Sequence, residues 1–251
     1  MPRQTTLIAV ALVLSAAAAY ASQAGIFRIH ARGVPAPVTS RVHADLVNAE
    51  RRIARELGEL PDTVGVWIHP SRVAFTAALT EAWGVPGTEC WMVGAADDHT
   101  LHLLAPDRWA AEACEHDADD ADHVRRLVTH ELVHVYHGQA NPSADLGLVE
   151  EIGWFTEGLA TYVSGQLDAR HRGGAFEALR TGRGPGRLAD AWSGPFRYAV
   201  AGSMVAFIDD AWGRATLRSL LTATSQAELL AGLDVSESGF LERWRAWVLE
   251  G

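Results

Sequence analysis

His130-Glu131-Leu132-Val133-His134 constrains this chain more than any other stretch. Residues four apart on an α-helix lie on one face about one turn apart, so the two imidazoles can converge on one metal ion. The neighbouring residues favour such a helix. Leu127, Val128, Leu132, Val133, Val135 and Tyr136 give it apolar surface over much of its circumference. A solvated polar face does not explain histidines on so apolar a helix. Glu131, between them, can reach a metal-bound water and accept its proton. The helix is expected over 122–138, capped by Asp119 or Asp122 and ended by Gly138 and Pro142.

A catalytic zinc takes three protein ligands and keeps a fourth position open. Trp154-Phe155-Thr156-Glu157-Gly158-Leu159-Ala160-Thr161-Tyr162, on the next helix, offers Glu157 as the third ligand, with Gly158 allowing close packing. Glu150 and Glu151 compete for that role without the same context. H-E-x-x-H followed about twenty residues later by W-x-x-E-G-x-A-x-Y resembles the gluzincin metallopeptidases, in particular the peptidase-MA-like group related to thermolysin and the aminopeptidase N family.

The resemblance covers residues 41–251 and is sharpest in the two zinc segments. It implies an α+β, zincin-like fold: an N-terminal α/β lobe with a small mixed sheet, a C-terminal helical lobe, and the active-site cleft between them. It implies one Zn²⁺ on His130, His134 and Glu157, with Glu131 as general base. Tyr198 precedes Gly202-Ser203-Met204-Val205 much as a tyrosine precedes G-S-F-V in related chains, where the phenol points at the oxyanion of the tetrahedral intermediate. Thr100–Leu104 matches the substrate-binding edge strand of the clan. Gly94-Ala95-Ala96-Asp97-Asp98 stands where the aminopeptidase branch grips the substrate amine with G-x-M-E-N. The Met-Glu-Asn is absent, so endopeptidase action is expected over exopeptidase action.

The expected activity is that of an exported zinc metallopeptidase acting on a peptide or protein. Two other readings stand beside it. A catalytically silent relative could keep the scaffold and bind a partner, although such a protein has no need of Glu131. A zinc hydrolase of a non-peptide amide or ester would carry the same motif.

Met1-Pro2-Arg3, the apolar run Leu7–Ala19 and the small residues around Ala21 and Ala24 read as a signal peptide over 1–24. A signal anchor is the rival reading, because Leu7–Ala24 approaches the roughly 17 residues that span a bilayer. Either way the protein is expected to be secreted or extracytoplasmic, with membrane contact confined to that leader. Residues 25–40, with Gly33, Pro35 and Pro37, read as a linker. A net charge of −10 excludes a general attraction to nucleic acid. The two cysteines, Cys90 and Cys114, are a disulfide in an oxidising compartment or two buried thiols.

Helices are expected over 38–60, 72–82, 151–168, 174–180, 197–211, 213–223 and 237–249, and strands over 64–68, 90–94 and 100–104. The acidic run Glu115–Asp122 reads as a complement to the following helix N-terminus. His123 and His137 lie seven residues either side of His130 and read as solvated or supporting groups. The Arg/Gly-rich stretch over 170–187 reads as a solvated loop. Thr161, four residues after Glu157, can donate to its carboxylate.

Overall fold

The computed structural model describes residues 25–141, 143, 150–167 and 169–250, so the leader expected over 1–24 lies outside them. Among the described residues the architecture is α+β, with ten α-helices and a four-stranded mixed sheet. None of these helices is long and apolar enough to cross a membrane.

The sheet begins earlier than the linker reading allowed. Phe27–His30 is a strand, β1, with alternating burial, and it pairs in parallel with β2, Val64–His69. The glycines and prolines around it obscured an alternation of only four residues. Helix α1, Ala36–Glu56, connects the two strands and turns Val42, Leu46, Ala49 and Ile53 into the core. Strand β4, Thr100–Leu104, lies parallel to β2, and β3, Gly94–Ala96, runs antiparallel on its outer side. The order is therefore β1-β2-β4-β3. This corrects the expected edge strand: β4 is internal and β3 is the edge. Only Gly94 of the expected strand 90–94 belongs to β3.

Alternation divides the sheet into two faces. Phe27, Ile29, Val64, Val66, Ile68, Leu101 and Leu103 are buried and share one core with α1 and the helices that follow. The other face carries a stack of rings, His30 on Trp67 on His102 on His69. Helix α2, Arg72–Trp83, packs on this face, with Phe75 against His69 and Trp83 against His102.

Between β4 and the helix that carries His130 and His134 the chain makes a 3-10 turn and a short helix, α3, Trp109–Glu112. Cys90 and Cys114 are joined in a disulfide. Arg72 donates to the carbonyl oxygens of Cys90, Met92 and Glu112, fastening the bridged segment to the start of α2. Closing a loop with a sequence separation of 24 restricts the unfolded chain by about 3 kcal/mol. Denaturant unfolding with and without reductant should differ by that amount.

Helix α4 spans Ala121–Ala140, and Asp120, rather than Asp119 or Asp122, caps it by accepting from the backbone of Asp122 and His123. The acidic run thus complements the helix start as expected. The helix continues through Gly138, where a Cβ would come within 2.8 Å of the Asp98 backbone. Helix α5, Gly153–Ser164, stops short of the expected 168 because Gly165 takes a left-handed conformation at its end. Part of the stretch expected as a solvated Arg/Gly loop is helix α6, Ala169–Arg180. Helices α7, Arg197–Trp212, α8, Arg214–Ser219, α9, Gln226–Gly232, and α10, Glu237–Glu250, complete the helical half.

Candidate metal centre

Two helix crossings assemble the site. α4 packs on α5, and α5 crosses α7 closely. The second crossing depends on glycine. A Cβ on Gly158 would lie 2.4 Å from the Ala201 carbonyl oxygen, and one on Gly202 would lie 2.8 Å from Thr161 Cγ2. The packing role expected of Gly158 is thereby met. Its neighbour Glu157 is carried toward α4 as a result.

His130 Nε2 and His134 Nε2 lie 3.2 Å apart. The Glu157 carboxylate approaches them at 3.4 and 3.7 Å. One ligand atom from each residue falls within 4.8 Å of the others, so the three can hold a metal ion. Among the described residues, no other carboxylate or imidazole joins this cluster. Glu151 accepts from the Gln226 backbone, and the Glu150 side chain lies outside the described residues. His123 pairs with His116, and His137 is buried against Phe155. Thr161 Oγ1 is buried without a hydrogen-bond partner and does not donate to Glu157 as expected.

The electrostatics divide the two histidines: against the cost of burial, the hydrogen bond and charge of Glu157 raise His130. Burial holds His134 down to about 4, the neutral form a metal requires. Burial opposes ionisation of Glu157, yet the imidazoles of His134 and His130 and the charge of Arg197 together hold its carboxyl low. His130 Nδ1 meets Gln166 Oε1 at 2.8 Å, which makes Nδ1 the protonated nitrogen and turns Nε2 toward the cluster. Sequence spacing gave no sign of Gln166. It sits just past α5, and only the left-handed turn at Gly165 brings it back.

Glu131 stands beside the cluster without joining it. Loss of solvent raises its carboxyl to about 7. The edge strand β3 lies directly against it: a Cβ on Gly94 would come within 2.6 Å of the Glu131 side chain. Gly94 was legible as part of a strand, but not as the residue that lets a strand edge meet this carboxylate. Tyr198, in the first turn of α7, sets its ring 6.2 Å from that of His130, edge to face. Burial, reinforced by the charge of Glu157, keeps its phenol protonated up to about 12.

No protein-family model matches the chain, and no curated protein matches it. The chemistry open to the site follows from its own groups. Two imidazoles and a carboxylate converge, with a raised carboxyl and a protonated phenol beside them. A separate cavity of about 380 Å³ lies along α1 and α4, lined by Arg51, Arg52, Arg55, Arg125 and Arg126 among others, and includes none of these groups.

Proposed function

We propose that this protein is an exported zinc metallopeptidase of gluzincin type, with a zincin-like arrangement of its lobes. One observation carries the reading. Glu157 meets the two α4 histidines from a second helix, while Glu131, inside the same H-E-x-x-H, stays out of the cluster as a separate base. Two nitrogen donors and one oxygen donor suit zinc and leave a position open for substrate chemistry. A neighbouring base and phenol favour hydrolysis over redox use of the same donor set.

Zinc bound there supplies Lewis-acid polarisation of a carbonyl and acidifies a water. Glu131 accepts the proton of the attacking water and returns it to the leaving amine, a task suited to a carboxyl held near neutrality. Tyr198 donates to the oxyanion, and its high pKa keeps the proton available. The edge β3 offers backbone groups to an extended peptide, placing the scissile bond beside Glu131.

The test is cleavage of a quenched peptide library by protein stripped with chelator and by the same protein given one equivalent of zinc. Cleavage should vanish on chelation and return with zinc. Cleavage indifferent to chelation would sink the reading. A zinc-loaded protein that splits small amides or esters and no peptide would instead be the non-peptide hydrolase.

A further inference from the structure

Arg197, one residue before Tyr198, occupies an unusual setting beside the metal centre. Its guanidinium carbon lies 5.1 Å from the Tyr198 ring centroid, 5.6 Å from that of Trp192 and 5.7 Å from that of Trp91. Its charge reaches both Glu157 and Tyr198. Yet no carboxylate among the described residues forms an ion pair with it. Some other arginines are paired: Arg214 with Glu56 and Asp209, Arg180 with Glu177, and Arg187 with Asp190.

A guanidinium held over ring faces keeps its charge and presents N–H donors from its edge, one of which meets the Tyr198 hydroxyl. The cage is also built from distant parts of the chain. Trp192 comes from the segment before α7 and packs edge-on against Tyr198 at 4.8 Å. Trp91 follows the bridged Cys90, its carbonyl lies 2.7 Å from His116 Nε2, and its side chain remains 41% exposed. The disulfide, Arg72 and His116 thus all fasten the strand-side wall of one cationic cage. A planar cation that no described carboxylate engages matches a carboxylate from outside, which it can grip with two parallel hydrogen bonds.

We infer that Arg197 is a specificity-determining residue that binds a carboxylate of the substrate, held in the cage of Trp91, Trp192 and Tyr198. The inference rests on the peptidase reading for the identity of the substrate, but not for carboxylate binding itself. The carboxylate has two sources in a peptide: the free C-terminus, or an aspartate or glutamate side chain. The first would make the enzyme act near chain ends. The second would make it an endopeptidase cutting beside acidic residues.

Matched peptides separate these sources: one pair differs by free acid against C-terminal amide, the other by internal Glu against Gln. Zinc-loaded wild type should favour the carboxylate member of at least one pair by about tenfold to a hundredfold in kcat/KM, mostly through KM. The same preference should be seen as tighter binding when the Glu131→Gln protein is titrated with these peptides and tryptophan fluorescence is followed. In Arg197→Met the ratio within the pair should fall toward one, and Arg197→Lys should keep part of it. Lys retains the charge, so it also serves if the Met variant misfolds. Preference in the C-terminal pair assigns the α-carboxylate, and preference in the Glu/Gln pair assigns the side chain. Equal cleavage and equal binding within both pairs would overturn the inference while leaving the peptidase reading intact. If no peptide is cleaved, an Arg197-dependent fluorescence preference for carboxylates still upholds the site, and its absence overturns it.

Discussion

Glu131→Gln is expected to lower kcat for peptide hydrolysis by about a hundredfold to ten-thousandfold while zinc stays bound. Glutamine matches glutamate in shape, so it fits the space that Gly94 leaves at the strand edge. It cannot accept a proton from water, and the step assigned to Glu131 is lost. The metal should remain because Glu131 is outside the cluster of His130, His134 and Glu157. Steady-state kinetics with metal analysis of the same preparation separates the two effects. A variant that loses its zinc would show Glu131 to be a ligand. One that turns over like the wild type would remove it from the reaction.

Gly158→Val should be the most damaging single change to the scaffold. A side chain there meets backbone: the added Cβ would stand 2.4 Å from the Ala201 carbonyl oxygen and 2.8 Å from its carbon. No flexible side chain can yield, so α5 and α7 must part. The expected cost is about 3 kcal/mol or more, a fall in Tm of about 10 °C. Because Gly158 follows Glu157, zinc affinity should fall along with stability. Thermal melts and metal content report both. A variant that melts within a degree or two of the wild type would contradict the close crossing of α5 and α7.

The candidate site was more legible in the sequence than the sheet was. An i, i+4 histidine pair on an apolar helix and a glutamate followed by glycine are local signals, and α4 and α5 bring these residues together. β1 was hidden because four alternating residues among Gly25, Gly33, Pro35 and Pro37 look like a linker, and only pairing with β2 makes them a strand. The edge position of β3 was hidden for a related reason. Strand order is a tertiary property, and periodicity is the same for an inner and an outer strand. Gln166 and the cage around Arg197 depend on contacts between segments far apart in the chain, which no spacing rule encodes.

Metal stoichiometry tests the central claim most directly, measured by elemental analysis on wild type, Glu131→Gln and Glu157→Ala after equilibration with zinc and removal of the excess. One zinc per chain is predicted for wild type and Glu131→Gln, with most of it lost in Glu157→Ala. Wild type without zinc, or Glu157→Ala with its zinc fully retained, would contradict the assignment of the centre.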